Sequence, residues 1–388
     1  MWKSLITCWR VPEIRKRILF TLGVLSICRL AAAIPCPGVN PAALEAIFED
    51  LKQQQGGTGQ IATMLSMFTG GALQRFAVAA LGIMPYITSS IIISLLSPVW
   101  PMLEKWKREG EVGHQKITQF TRYLTLAICT VQGWMFSSVL QEATGGGMRV
   151  IVTDNPLLFR VQTVIFLTCG TMLLVWLGEK ITEKGIGQGI SLIITVGIVA
   201  RMPQALWSLY GKTQTLGETQ FTLVHVFLLA GIFVLATAGV IALAITQRRI
   251  PIKYARARAG RTGGGAGQGG FFPLPLNYAG VMPIIFASTL LMVPPVIFGF
   301  VTKQDFEWLE GIRKHISGIV GLFDNGSTSY IIMYAAMVIF FCFFWVSNQF
   351  NPIKVADDLK RGSAYIPGYR PGDDTAQFLD WTMTRVTA

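Results

Sequence analysis

Long apolar runs separated by short charged loops constrain this sequence more than any other feature. A helix needs ~20 mostly apolar residues to cross a bilayer. Eight candidate runs lie at 18–34, 76–98, 122–140, 157–177, 186–206, 223–246, 276–300 and 330–350. The 388 residues are 52% hydrophobic and only 14% charged, whereas soluble domains carry roughly 25% charged residues. The sequence therefore predicts an all-α polytopic membrane protein.

The positive charges are clustered, and the clusters predict the orientation of the spans. The net charge is +12, with five basic residues before the first run and six in the loop 247–261, which has no acidic residue. Loops rich in Lys and Arg stay on the cytoplasmic side. An even number of spans must separate these two regions, so the weakly apolar run 186–206 must also cross. The N-terminus and the tail 351–388 are then cytoplasmic.

The first 34 residues also have the outline of a secretory signal peptide, with a candidate cleavage site at residues 31–33. Arg29 interrupts that site and everything downstream spans the membrane repeatedly, so a retained first helix is preferred. Arg29 is a charge inside the first span. It lies near the outer end, where snorkelling lowers the cost of the charge. A structural role for it is preferred to a gating role.

Two segments do not fit a simple span. Residues 61–73 are apolar but too short to cross, and Gly70 and Gly71 break the segment before the next run. They predict either a re-entrant, plugging helix or an amphipathic helix on the outer surface, and the residues alone leave both open. The glycine tract 263–270 predicts a flexible loop tip.

Residues for covalent chemistry are sparse in this sequence. The three histidines stand alone, the six cysteines form no CxxC pair, and no nucleotide or hydrolase motif occurs in a suitable context. Ion-coupled carriers place acidic residues in mid-membrane, and the runs hold almost none. We therefore predict no catalytic residue, no cofactor and no metal site. A secondary transporter and an intramembrane hydrolase are the disfavoured alternatives.

Isoleucines at helical spacing are candidates for a hydrophobic gate. They are Ile83 with Ile87, Ile190 with Ile194, and Ile285 on a third run. Residues four apart share a helix face, and rings of branched apolar side chains can close a water-filled path by dewetting. Lipid-facing isoleucine is more common, so the spacing alone is a weak indication. Pro85, Gly280 and Pro283 predict breaks in two of these helices.

Several long motifs resemble the SecY family of protein-conducting channel subunits. They are FTGGALQRFAVAALGIMPYITSSIIISLL (68–96), GEVGHQKITQFTRY (110–123), GEKITEKGIGQGISLI (178–193), QRRIPIKYARARAGR (247–261), NYAGVMPIIFAS (277–288) and QFNPIKVADDLKRGSAYIPGYRPG (349–372). The motifs occur in the family's order along nearly the whole chain, so the resemblance is specific. It implies a ten-helix bundle of two inverted five-helix halves. Residues 1–206 would form one half, and 207–388, with the basic loop 247–275, part of the other.

The resemblance also implies roles for particular residues. The constriction ring would comprise Ile83, Ile87, Ile190, Ile194 and Ile285. The plug would be 61–73, including Met64, Leu65, Met67, Phe68, Gly70 and Gly71. The lateral gate would be formed by spans 76–98 and 276–300, with Thr88, Ile91 and Asn277. The docking surface for a ribosome or SecA motor would be Arg248, Arg249, Lys253, Arg256, Arg258, Arg261, Tyr365 and Arg370.

A channel in the bacterial cytoplasmic membrane is the function that the resemblance implies. Such a channel passes signal-bearing preproteins and releases membrane helices sideways into the lipid bilayer. Its implied partners are SecE-like and SecG-like small membrane subunits, with SecA or the ribosome on the cytoplasmic side. The sequence ends at Ala388, where the family's ninth helix would begin, so we expect a fragment or a partly represented chain. A truncated, non-conducting translocon fragment is the remaining alternative.

Overall fold

The structure is a computed structural model. It describes residues 11–40, 43–44, 46–47, 66, 69–142, 144–145, 148–149, 151, 155–214, 223–254, 270–288, 290–291 and 328–387. The chain forms two compact units, Met1–Lys212 and Thr213–Ala388. The expected division into 1–206 and 207–388, and the inverted relationship of these two halves, stay predictions.

Helices make up most of the described chain as far as residue 214. They are α1 (Pro12–Ala33), α2 (Met84–Leu96), α3 (Pro101–Arg108), α4 (Glu111–Glu142), α5 (Pro156–Lys184), α6 (Gly189–Val199) and α7 (Met202–Gln214). A short antiparallel pair, β1 (Thr144–Gly145) and β2 (Met148–Arg149), lies between α4 and α5. Helix α4 packs against α5 and α2, and α5 also packs against α1 and α6. The predicted helical class is confirmed.

Several polar side chains of this bundle have close partners. The Thr121 and Thr125 hydroxyls on α4 donate to carbonyl oxygens one turn earlier, at 2.8 and 2.7 Å. Arg122 of the same helix forms an ion pair with Glu179 of α5, in which both carboxylate oxygens accept hydrogen bonds. Internal partners of this kind are required where lipid replaces water.

The predicted span 76–98 is wrong in its first part, because residues 69–83 form a series of turns and α2 begins only at Met84. These turns are deeply buried. The Phe76 carbonyl accepts a hydrogen bond from the Cys36 N–H at 2.9 Å, and the Val78 N–H donates to the Ile34 carbonyl at 2.9 Å. Non-helical backbone is tolerated at membrane depth when protein surrounds it and pairs its polar groups.

The two expected proline breaks lie at the starts of helices rather than inside them. Pro85 occupies the first turn of α2, where its missing N–H would have had no helical partner. Pro283 stands in the first turn of the helical segment 282–288, shortly after Gly280. Each run is therefore interrupted where expected, but the interruption lies before the helix rather than inside it. Residues 292–300, the last part of that predicted span, lie outside the described residues.

The second unit combines helices with a small sheet. The named helices are α8 (Leu223–Ile245), α9 (Thr328–Gln349), α10 (Pro352–Arg361) and α11 (Asp373–Thr387). Strands β3 (Gln247–Tyr254), β4 (Gly270–Pro275) and β5 (Ala364–Tyr365) form an antiparallel sheet in the order β4-β3-β5. The basic loop therefore contains a β-hairpin, which we did not predict. Gly270, expected in the flexible tract, pairs with Ile252.

Four helical stretches of the described chain are long and apolar enough to cross a membrane. They are Pro156–Lys184, Gly189–Ser208, His225–Ile245 and Thr328–Arg361. A further candidate is the pair α2 and α3, which bends by 101° at its break. Helices α1 and α4 have 22 and 32 residues, which is enough to cross a hydrocarbon layer of ~30 Å. The count of eight spans stays a prediction.

Candidate functional site

The turn between α5 and α6 shows why this part of the chain is rich in glycine. The Gly189 N–H donates to the Thr182 hydroxyl at 2.9 Å. A Cβ at Gly189 would overlap the carbonyl oxygen of Gly178. The two helices therefore meet backbone to backbone, and this contact fixes the start of α6, which carries Ile190 and Ile194.

Two of the predicted ring residues line one small cavity of the first unit. Ile83, which caps the N-terminus of α2 and is 4% exposed, lines it together with Ile194 of α6. Arg29 of α1, Thr69 and Leu174 of α5 also line it. Its volume of about 30 Å³ admits one or two water molecules, whereas small-molecule sites need ~300 Å³ or more. The site suits a narrow constriction, in which isoleucines meet Arg29 and Thr69, better than a substrate pocket.

The other predicted ring residues are not among the described lining residues of this cavity. Ile87 lies one turn further along α2 and is buried, and Ile190 lies one turn before Ile194 on α6. Ile285 belongs to the helical segment 282–288 of the second unit. The structure thus brings two of the five isoleucines to one cavity, and the complete ring stays a prediction.

The predicted lateral-gate residues lie on or just before two helices, one in each unit. The Thr88 hydroxyl donates to the Met84 carbonyl at 3.0 Å, and Ile91 is buried on the same helix. Asn277 is exposed, and its side-chain oxygen accepts from the Gly280 N–H at 2.9 Å. Both polar side chains are thus held by local backbone. Their part in a lateral gate stays a prediction.

A repeated motif, which the sequence analysis missed, precedes α2 and the helical segment 282–288. Gly82-Ile83-Met84-Pro85 leads into α2, and Gly280-Val281-Met282-Pro283 leads into the segment 282–288. The two glycines have left-handed φ values of +58° and +64°, and both prolines lie in the first helical turn. A search for the pattern G-x-M-P would have linked these two parts of the chain from sequence alone.

The predicted plug is only partly described. Gly70 and Gly71 belong to the described chain, whereas Met64, Leu65, Met67 and Phe68 lie outside it. The two glycines have φ values of +64° and +88°. The Gly71 N–H donates to the Ser66 carbonyl at 2.8 Å, a bond typical of a helix C-terminus. Arg201, which the sequence analysis did not single out, donates to the Ser66 hydroxyl at 3.3 Å.

The basic loop presents its charges on a folded strand. Arg249 and Lys253 on β3 are exposed, whereas Ile250 and Ile252 between them are buried. Residues two and four apart share one face of a strand, so the two cations point the same way. Lys253 is paired with Tyr365 of β5, which places that predicted docking residue beside them.

Phe271 of β4 is a further member of this surface that the sequence did not reveal. The Arg249 guanidinium lies 4.8 Å from the centre of its ring, within the range of a cation–π contact. Arg248 and Arg370 are also exposed, and the Arg370 carbonyl accepts from the Thr375 hydroxyl at 2.8 Å. The other predicted docking residues, Arg256, Arg258 and Arg261, lie outside the described residues.

Taken together, these features define a class of protein. Within the described chain, no group of three or more His, Cys, Asp or Glu side chains could hold a metal ion. Non-helical backbone packed beside half-length helices is tolerated at membrane depth only inside protein or along a water-filled path, which is typical of membrane channels and transporters.

The comparison with known proteins names that class. The SecY family model matches residues 77–388. The protein translocase subunit SecY of Escherichia coli K12 is 42% identical over 377 residues, which cover 97% of this chain and 81% of that protein. The chain therefore belongs to the SecY family, and it is a protein-conducting channel subunit of the translocon.

Solved structures share the fold at lower sequence identity. A structure of a protein-conducting channel aligns with a TM-score of 0.60 and 18% identity, covering 98% of this chain and 86% of that one. A SecY structure solved to study the plug domain aligns with a TM-score of 0.57 and 19% identity, covering 96% and 82%. Both likenesses place this chain in the SecY channel fold.

Proposed function

We propose that this subunit conducts signal-bearing preproteins across the bacterial cytoplasmic membrane and releases membrane helices sideways into lipid. The observation that carries the proposal is the small cavity at which Ile83 of one helix start meets Ile194 of another helix. Branched apolar side chains close a water-filled path by dewetting and need no specific ligand. A constriction of this kind suits a channel whose cargo is polypeptide of many sequences.

Each predicted group of residues has a proposed part in this function. Ile83, Ile87, Ile190, Ile194 and Ile285 form the constriction ring. Residues 61–73 form the plug, and in the related SecY protein the plug domain stabilises the closed state and maintains a membrane seal. Thr88, Ile91 and Asn277 line the lateral gate. The repeated G-x-M-P motif supports a division into two related halves, residues 1–206 and 207–388.

Energy for transport is proposed to come from partners, and the subunit itself performs no covalent chemistry. A SecA motor or a ribosome would dock on the exposed face of β3, where Arg249 and Lys253 lie beside Tyr365. Small SecE-like and SecG-like subunits would flank the bundle. The N-terminus would be cytoplasmic, because Lys- and Arg-rich segments are retained on that side.

Site-specific photocrosslinking tests the proposed pore. A photoreactive residue is placed at Ile83 or Ile285 in the assembled translocon, and a secretory chain is stalled during transport. We expect an adduct from both positions, because a polypeptide in the pore must pass the constriction. A chain without a signal sequence is expected to give none.

A matched control comes from α8, where Ile232 is 58% exposed. The same photoreactive residue at Ile232 should give no adduct with the stalled chain, because this isoleucine is expected to face lipid. Adducts of equal yield at all three positions, or none at Ile83 and Ile285 in an inserted translocon, would contradict the proposed pore.

A further inference from the structure

The Gly70–Gly71 turn lies between arginines that come from two different helical regions. A Cβ at Gly70 would overlap Nη1 of Arg29, which belongs to α1, and would lie 3.0 Å from the Gly197 carbonyl oxygen of α6. A Cβ at Gly71 would lie 2.9 Å from Nη2 of Arg201, just after α6. A side chain at either position would press on an arginine and would also be strained by the left-handed φ, so the turn lies in close contact with both arginines.

Arg201 is fixed by two acceptors on either side of the turn. It donates to the Ser66 hydroxyl at 3.3 Å, and its Nη2 donates to the side-chain oxygen of Gln74. The planar guanidinium can hold two acceptors in a defined geometry. Arg201 is partly buried, so these hydrogen bonds replace part of the hydration that its guanidinium loses.

Arg29 approaches from the other side and faces the isoleucine cavity. It lines this cavity with Thr69, Ile83 and Ile194. Its Nε is buried and finds no hydrogen-bond acceptor among the described residues. A buried polar group without a partner is costly, and the other two nitrogens of this guanidinium lie against Gly70 of the turn.

The Gly70–Gly71 turn also lies next to the wall of the isoleucine cavity. A Cβ at Gly82, the residue before Ile83, would lie 3.2 Å from Cγ2 of Thr69. The left-handed φ values of Gly70 and Gly71 keep the turn compact. Displacing the turn would therefore disturb the wall of the cavity at Ile83.

We propose that Arg29 and Arg201 form a two-sided clasp that positions the Gly70–Gly71 turn against the isoleucine cavity and keeps the idle channel closed. The inference rests on the proposed function, in which residues 61–73 are the plug. Arg201 is a positioning residue, because it acts on the seal through Ser66, Gln74 and the turn. Opening the channel requires the turn to leave the clasp.

Ion leak through the idle, complete translocon in lipid vesicles tests the clasp. Arg201→Ala should raise the leak about tenfold, because the population of the open form changes about tenfold for each 1.4 kcal/mol lost. Gln74→Ala should raise it in the same direction, and the double variant should leak no more than Arg201→Ala alone. Arg201→Lys should give an intermediate leak, because lysine keeps the charge but lacks the fork.

The matched control is Arg160→Ala, which also removes an arginine bonded to a glutamine side chain. The Arg160 Nε donates to the Gln141 side-chain oxygen at 2.8 Å, and the guanidinium lies over Trp134. We expect no change in leak for this variant. If the Arg201→Ala variant does not assemble, the Gln74→Ala variant alone tests the clasp. A leak equal to that of the parent would then contradict the clasp.

Transport of a preprotein with an intact signal sequence separates the two possible failures. If the parent and Arg201→Ala both transport it and leak equally, the clasp is wrong and the proposed channel stands. If the parent vesicles do not transport it at all, the proposed function fails and the clasp fails with it. If Arg201→Ala leaks more than the parent and both still transport the preprotein, the clasp and the proposed channel are both supported.

Discussion

Replacing Gly189 by alanine is expected to separate α6 from α5 and to remove most translocation activity. The added Cβ would overlap the Gly178 carbonyl oxygen and lie 2.8 Å from Cβ of Ile181. Neither obstacle is the end of a flexible side chain, so the helices must move apart. Forced overpacking costs about 1–3 kcal/mol, a large share of the ~5–15 kcal/mol that stabilises a typical protein.

The substitution should also disturb the cavity, because Ile194 lines the cavity and lies on α6, the helix that must move. We expect the thermal transition of the purified translocon to fall by several degrees, as a loss of ~1 kcal/mol shifts the midpoint by about 2–4 °C in chains of 150–250 residues. Preprotein transport should fall with it. Thermal unfolding in detergent and transport into vesicles are the two measurements.

Gly231→Ala is the matched control for this change. A Cβ at Gly231, in the middle of α8, meets nothing within 4 Å, and alanine favours a helix over glycine by about 1 kcal/mol. Its thermal transition should equal that of the parent or exceed it slightly. If Gly189→Ala behaves in the same way, the close contact between α5 and α6 is not needed for the fold.

The long helices could be predicted from the sequence because uniform apolar runs determine them directly. The run 223–246 corresponds to α8 (Leu223–Ile245), and the run 330–350 to α9 (Thr328–Gln349). Such segments form helices without any tertiary contact. Lipid is apolar on every side of them, and a helix makes all its backbone hydrogen bonds within the segment. The described residues of α8 are exposed along their length, except that Val226 is only partly so.

The buried turns before α2 could not be predicted in the same way. Residues 69–83 are apolar and rich in alanine, so their composition favours a helix. Hydrogen bonds from Cys36 to Phe76 and from Val78 to Ile34 replace the helical pattern. These partners lie about forty residues away in sequence, and single-sequence periodicity carries no information about such pairs.

The candidate site was only partly predictable for a related reason. The ring isoleucines were selected by resemblance, and the structure places Ile83 and Ile194 at one cavity. Arg201 was missed because its partners, Ser66 and Gln74, are more than a hundred residues earlier in the chain. Phe271 was missed because the hairpin that brings it to Arg249 was read as an irregular loop.

Reversing two charges on β3 is expected to abolish high-affinity docking on the cytoplasmic side. In the variant Arg249→Glu with Lys253→Glu, two exposed cations of one strand face become acidic. A hydrogen bond to a charged group contributes about 1.5–3 kcal/mol, and 1.4 kcal/mol is a factor of ten. Loss of two such bonds should therefore weaken ribosome binding by about a hundredfold or more, as measured by co-sedimentation with the translocon.

The salt dependence identifies the chemistry of the docking partner. Each lost contact between a cation and a phosphate should lower the slope of log affinity against log salt by about one. The neutral variant Arg249→Gln with Lys253→Gln should therefore bind with a slope smaller by about two. An unchanged slope with weaker binding would show that the partner's acceptors are not phosphates.

Arg385→Glu is the control that separates this surface from net charge. Arg385 of α11 also lies over an aromatic ring, 4.1 Å from the centre of the Trp381 ring, and it belongs to the same unit. Arg385 therefore matches Arg249 both in residue type and in its contact with an aromatic ring. Equal weakening by Arg385→Glu and Arg249→Glu would mean that ribosomes sense the overall charge of the tail and loops. If only the substitutions on β3 weaken ribosome binding, the partner docks on the exposed face of that strand.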